Sequence, residues 1–595
     1  QPAPEQGPPP VQVVLEGEPL RVTWTGGPAS ERWQLTPEDG GDALYGEVRR
    51  EGDLSIVEPP APLRIGYWRL ALDAQPQAEC LLVVAPRRCW APQPLLQGER
   101  WWGCTIQLYA LRSSRNWGIG DFGDLRRLVD TASRQGASFI GLSPLHALFP
   151  HRPEVASPYS PSSRTALNPI YLDVQALAEL SGCEDALRKL HGEDFQDRLR
   201  RLREAELVDY PGVAAAKEEM LAILWRHFEQ NELHPGSSRG AHFSQYMDER
   251  EATIGPHALF EAVQAHLYAT DPSVWGWPAW PEAWRDPRGD AIQAFRGSHA
   301  SAIRYRFWLQ WLCEVQLESV QRYAKTRGMG LGLYCDLAVG VNEGGAETWM
   351  QPSLYALGMH VGAPPDPLNA LGQDWGLPPL NPVQLRGARY APFIETLRAN
   401  MRHCGALRMD HVMALMRLFW IGGDGGTYVT YPLQDLLGIL ALESHPHHCL
   451  VIGEDLGNVA PAMREAMRER CLLSYRPLLF ERTQDGSFRP PAEWQPQALA
   501  VVSTHDLPTL RGFWLGEDLE LIASLGLFPD EPARERAVID RAQDRARLLL
   551  ALQHAGLLPP DANAQPTSVP GATPRFVCCD TASSSNPVVM LVTTS

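Results

Sequence analysis

From Trp101 onward, short apolar runs alternate with long amphipathic stretches, and four of those runs end in an acid. GLGLYCD ends at Asp336, GALRMD at Asp410, CLVIGED at Glu454 and Asp455, and LAVVSTHD at Asp506. Alternating strand and helix patterns are the signature of a parallel sheet wrapped by helices. In a (β/α)8 barrel the C-terminal strand ends converge on one cleft. Acids gathered there crowd and desolvate one another, a cost that persists only where they are used. The fold class that follows is α/β, a (β/α)8 barrel with helical insertion subdomains, preceded by a small all-β sandwich.

Within GALRMDHVMAL, Arg408 and Asp410 are two residues apart and leave a strand on the same side. Arg408 would hold Asp410 ionised and in one orientation, as a carboxylate nucleophile requires. The plainer reading of the pair alone is a strand-end ion pair. The other three acids tip the balance. Two carboxylates with a third as helper suit glycosidic bond cleavage, in which a nucleophile and a protonated acid flank the bond. Crowding would keep the acid protonated near neutrality. The residues alone leave that acid open between Glu454 and Asp455. A divalent-cation site is the rival reading. No DxDxDG loop is present, and the flanking His and Arg residues favour sugar hydroxyls. HPHHC, His445 to Cys449, precedes a strand rather than ending one, so zinc is disfavoured there. No metal and no cofactor are expected.

Composition narrows the partners. A net charge of −17 makes nucleic acid and anionic membrane poor ones. No apolar run approaches about 18 residues, so no membrane-spanning helix is expected. The 11 cysteines include no CxxC pair, which favours reduced thiols in a cytoplasmic protein. The 19 tryptophans are mostly core residues, although flat aromatic faces also suit sugar rings.

In chain order, residues 1–10 read as a Pro-rich linker inside a longer chain, and 11–97 as a β-sandwich accessory domain of short strands and turns. Residues 98–595 read as the catalytic barrel. Within it, RSSRNWGIGDFGDL is a polar loop leading to a helix that Asp121 or Asp124 caps. SPYSPSSRTALNPIYLD is a long functional loop. About 175–300 is a helical insertion, containing four Trp between Trp275 and Trp284 that read as core before sugar platform. Residues 362–382 form a lid loop over the cleft.

At these motifs the chain resembles the 4-α-glucanotransferases, also called amylomaltases or disproportionating enzymes, of glycoside hydrolase family seventy-seven. It looks most like the bacterial branch with an N-terminal β domain. RSSRNWGIGDFGDL, SPYSPSS with NPIY, GAPPDPLNALGQDWG, ALRMDHVMALMRLFWI, VIGEDLG and STHDLPTLRG carry the resemblance, over residues 84–531. It implies transfer of α-1,4-glucan segments between malto-oligosaccharides, which serve as donor and acceptor, without a metal cofactor. It implies Asp410 as nucleophile, Glu454 as acid/base, and Asp506 as the acid that holds sugar hydroxyls in the transition state. Arg408, His411 and His505 match subsite residues, Tyr159 and Asp336 match positions near the cleaved bond, and Trp375 matches an aromatic closing over the acceptor. Residues 560–595 do not resemble the family and are expected to be an atypical, truncated or frame-shifted end, with VVMLV the one stretch able to serve as a strand. Two alternatives use the same residues: an α-amylase-like hydrolase in which water replaces the acceptor, and a glucan-binding protein left inactive by its unusual C-terminus.

Overall fold

The computed structural model describes residues 7–27, 31–73, 75–365, 372–423, 425–558 and 588–593. Eight parallel strands close a barrel: Trp102–Ile106, Phe139–Leu142, Gly332–Leu337, Ala406–Met409, Leu450–Gly453, Leu473–Pro477, Ala498–Val501 and Val588–Thr593. The eighth is the VVMLV stretch, and it pairs with the seventh strand on one side and the first on the other.

The lumen is packed, not open. Phe139, Tyr334, Ala406, Leu450, Ile452, Tyr475, Leu499 and Val501 form one buried cluster, with Phe139 and Tyr334 edge to face at 6.2 Å. That packing dictates Gly141 in the second strand: a Cβ there would lie 2.3 Å from Thr105 and 2.6 Å from the Tyr334 ring. Leu95, with Trp90 and Trp101, packs against this cluster just ahead of the first strand.

The helix after the first strand, Phe122–Arg134, starts with a reciprocal cap: Asp124 N–H donates to Asp121, and Asp121 N–H donates to Asp124. Both candidate caps are therefore used. Between the second and third strands run the helices Glu179–Gly182 through Asp290–Ser298, followed by the 27-residue helix Ala300–Thr326. Trp225, Phe228, Phe243, Trp308 and Trp311 interlock where insertion and barrel meet.

Stretches read as loops contain strands. Ser163–Leu167 pairs with His146–Ala147. His360–Ala363 and Gln373–Leu377 pair with each other and, through His360–Ala363, with the hairpin Arg417–Gly422 and Gly425–Thr430. The 362–382 stretch is thus part of a four-stranded sheet rather than a bare loop. Its tip, 366–371, lies outside the described residues, as does most of 560–595.

At the N-terminus a five-stranded sheet faces a three-stranded one. Trp24, Trp33, Leu35, Trp68, Leu70 and Leu82 fill the space between them. This sandwich docks on two barrel helices, Ala391–Met401 and Leu433–Ser444. Gly438 lets the backbones approach, since a Cβ there would come within 2.7 Å of Val13.

Candidate active site

The third, fourth and fifth strands lie side by side, and each delivers an acid. The pairing runs past the strand ends: Asp410 N–H donates to Leu337 C=O and Glu454 N–H to Met409 C=O, both at 3.0 Å. The acids are therefore fixed by the barrel ladder rather than by a loose loop. Arg408 binds two of them, donating to Asp336 at 2.6 Å and reaching Asp410 at 3.0 Å. Its guanidinium also lies 5.3 Å above the Tyr475 ring. Asp336 takes a second hydrogen bond, 2.7 Å, from Tyr159. Burial, reinforced by Asp336, pushes the Tyr159 hydroxyl far up, so it stays a neutral donor. Asp336 is 6% exposed and fully engaged, whereas the Asp410 side chain keeps 20% of its surface open.

Glu454 stands apart. Among the described residues no arginine pairs with it. It accepts backbone N–H bonds from His411 at 3.0 Å and Leu456 at 2.7 Å. Those bonds and nearby Arg408 favour the anion, while burial and the Asp410 charge oppose it, and burial wins: Glu454 is pushed up to about 7. His411 can donate there because it adopts the left-handed conformation, φ 47°, which few non-glycine residues take. Its ring, driven down to about 4 by burial, is neutral.

Asp455 is settled by the same geometry. Its side chain is wholly buried and accepts from Ser474, the Tyr475 N–H and Arg476. With every oxygen committed to the sixth strand, it is a structural carboxylate.

The remaining sequence candidates sit at the rim. Asp506 lies five residues beyond the seventh strand, in a turn rather than at the strand end, with a side chain 75% exposed. It is 3.3 Å from His505. His505 stacks on Tyr159 at 4.5 Å, linking Asp506 to the Arg408 network. Trp375 lies edge-on to His411 at 5.0 Å. Tyr475 was not singled out from the sequence. It is one aromatic in a strand that ends without an acid, and only the barrel register places it under Arg408.

The His445–Cys449 segment lies on the opposite side of the barrel and serves the sandwich. His445 contacts the Arg88 carbonyl at 3.0 Å, and His448 meets Trp90 edge-on at 5.5 Å. Among the described residues no cluster of His, Cys, Asp or Glu is arranged to hold a metal ion. No described helix is long and apolar enough to cross a membrane.

A packed (β/α)8 barrel with one arginine-clamped carboxylate and one protonatable carboxylate at adjacent strand ends has the architecture of a sugar-processing enzyme. A sequence model described as 4-alpha-glucanotransferase matches residues 106–592, and one described as MalQ N-terminal beta sandwich domain matches 9–86. The chain belongs to the 4-alpha-glucanotransferase family, and the first match runs to residue 592, into the 560–595 segment expected to be unlike the family. A 4-alpha-glucanotransferase of Haemophilus influenzae is 38% identical over 540 residues, 89% of this chain and 76% of that one. One of Mycobacterium bovis is 36% identical, over 85% of this chain and 70% of that one. The crystal structure of amylomaltase from Corynebacterium glutamicum superimposes with a TM-score of 0.81 at 30% identity, covering 98% of this chain and 82% of the other. The activity is transfer of 4-α-glucan segments.

Proposed function

We propose that transfer proceeds by double displacement, with Asp410 as nucleophile and Glu454 as acid and base. The observation that carries this reading is the contrast between the two carboxylates. Asp410 is clamped by Arg408 at 3.0 Å, and Glu454, with no ion-pair partner among the described residues, is pushed up to about 7. Glu454 gives its proton to the glycosidic oxygen as Asp410 attacks the anomeric carbon, so the reducing-end fragment leaves as a neutral alcohol. Glu454, now a carboxylate, takes the proton of an incoming 4-hydroxyl, and that oxygen displaces Asp410 to restore the α link. Atoms and charges balance with no added cofactor.

Asp506, exposed at the rim beside His505, binds ring hydroxyls more tightly as the anomeric carbon becomes cationic. Arg408, Asp336 and Tyr159 hold Asp410 in place, while His411 and Trp375 line the acceptor side. The hairpin carrying Trp375 excludes water, so that a sugar outcompetes it. The partners are malto-oligosaccharides and α-1,4-glucans, with neither nucleic acid nor membrane, in keeping with the charge of −17. A cytoplasmic location fits the nine described cysteines, all free and buried.

Maltotriose tests the reading. Glucose together with longer oligosaccharides is the expected outcome. Glucose and maltose with nothing longer would mean hydrolysis, and binding without products would mean an inactive glucan-binding protein. A glycosyl fluoride that traps the intermediate should label Asp410; label on another acid overturns that assignment.

A further inference from the structure

The tryptophan cluster of the insertion does not behave as one group. Trp280 is fully buried, stacked on Phe260 at 5.2 Å and donating to Gln264 at 2.7 Å. Trp284 packs between His266 and Phe295. Trp277 donates its indole N–H to the Glu343 carbonyl at 2.8 Å. Trp275 differs, with 40% of its surface exposed.

What holds Trp275 is the loop after the third barrel strand. A Cβ on Gly344 would lie 2.4 Å from the Trp275 ring, so the indole rests directly on that glycine. Trp277 pins the preceding peptide. The ring is therefore held on a fixed bed, with an exposed part turned outward. Beside Gly344 in the chain is Glu343, half-buried, whose carboxylate makes no hydrogen bond or ion pair among the described residues. The same loop joins the cleft wall: Asn342 N–H donates to the Pro161 carbonyl at 2.8 Å, and its amide to the Ser160 hydroxyl at 3.0 Å. Ser160 follows Tyr159, which donates to Asp336.

From this placement we infer that Trp275 and Glu343 form an outlying sugar-ring site on the cleft face of the barrel, serving glucan chains that extend past Tyr159. The indole offers a rigid apolar face to the C–H face of a glucose ring. The open carboxylate offers an acceptor for its hydroxyls, as a sugar site requires alongside apolar contact. Trp275 rests on Gly344 and not on Asp410, Glu454 or Asp506, so the site sets preference for chain length and leaves the chemical step alone. The inference rests on the glucan reading of the cleft.

The test compares maltotriose with maltoheptaose as substrate for the full chain. Trp275→Ala should raise KM for maltoheptaose about five- to tenfold and leave kcat and the maltotriose constants unchanged. Trp275→Phe, which keeps a ring, should recover most of that loss. Glu343→Gln should raise KM for maltoheptaose about two- to threefold, again sparing maltotriose. Equal effects on both substrates, or none on either, overturn the site. Should Trp275→Ala melt well below the wild type, Glu343→Gln decides alone by the same criterion. A wild-type chain that fails to lengthen maltotriose would indict the cleft assignment, not the outlying site.

Discussion

Two ion-pair networks in this molecule use the same four kinds of group, and only one lies in the cleft. In the cleft, Arg408 bridges Asp336 and Asp410 while Tyr159 donates to Asp336 at 2.7 Å. Where the sandwich meets the barrel, Arg398 bridges Glu443 and Glu38 while Tyr67 donates to Glu443 at 2.6 Å. Each has one arginine, one sunken acid, one outer acid and one tyrosine. They differ in what stands beside them. The interface network is closed, with Arg398 donating to both Glu38 oxygens at 3.2 Å. The cleft network has a third acid, Glu454, that forms no ion pair among the described residues. An arginine-clamped carboxylate is thus no signature of catalysis. What sets the cleft apart is the neighbouring acid, whose charge is decided mainly by burial, against nearby Arg408 and two backbone N–H bonds.

The sharpest way to break this comparison is to neutralise the outer acid in each network. Asp410→Asn should lower maltotriose disproportionation by about 10⁴-fold or more, because it removes the nucleophile itself. Glu38→Gln should leave it unchanged. Retention of chain-length redistribution by Asp410→Asn would end the nucleophile assignment.

Removing the arginines comes next. Arg408→Met leaves two crowded carboxylates without a cation in a buried site, a loss of about 3–5 kcal/mol in urea unfolding. It should abolish transfer as well. Arg398 is more exposed, with a side chain 35% accessible, so Arg398→Met should cost clearly less and keep kcat/KM. Equal losses of activity from the two variants would show that the sandwich and the cleft act as one unit.

How much of this was legible beforehand depends on the range of the contact. The alternation Arg408–Asp410 is a property of neighbours on a strand, and it survives in the structure as a 3.0 Å ion pair. Glu454 and Asp455 are equally acidic and adjacent. Only the sixth strand, through Ser474 and Arg476, reveals which of them is engaged. Asp506 carries the same strand-then-acid pattern as the others, but the ladder stops at Val501 and the acid falls in a turn. The hairpin around Trp375 is rich in Pro and Gly, so its pairing is not written locally; it is supplied by Arg417–Gly422 from beyond the fourth strand. The interface network was invisible, since Tyr67 and Glu443 are 376 residues apart and neither sits in a motif.

The third carboxylate can be isolated by pH. Glu454 is raised by burial from an ordinary 4.5 to about 7, so the folded chain binds its proton more tightly than the unfolded chain. Below about pH 4.5 both states carry the proton and the group is neutral in its effect. Between about 4.5 and 7 the unfolded state ionises first, and the fold loses stability relative to a group that never titrates. Glu454→Gln should therefore melt close to wild type at low pH and above it beyond pH 7, by on the order of 3 kcal/mol. The alkaline limb of the rate profile follows the same proton. Wild-type kcat/KM should fall as pH rises through about 7, where Glu454 loses what it must donate. Curves for the two proteins that stay parallel across this window would place the titrating group elsewhere.

The smallest effects separate the two tyrosines, which differ by one hydroxyl each from phenylalanine. Tyr67→Phe removes a 2.6 Å bond to a nearly buried Glu443 and should cost about 1–3 kcal/mol of stability, with kcat/KM for maltotriose unmoved. Tyr159→Phe removes a 2.7 Å bond to Asp336, so a stability loss of the same order is expected. Its hydroxyl also lies 3.2 Å from His505, which stands next to Asp506. Loss of that link should loosen the hydroxyl-binding rim and lower kcat/KM several-fold, an effect the interface variant cannot reproduce. If both variants lose stability alike and neither loses activity, the tyrosine in the cleft is as structural as its counterpart, and the chemistry narrows to Asp410 and Glu454.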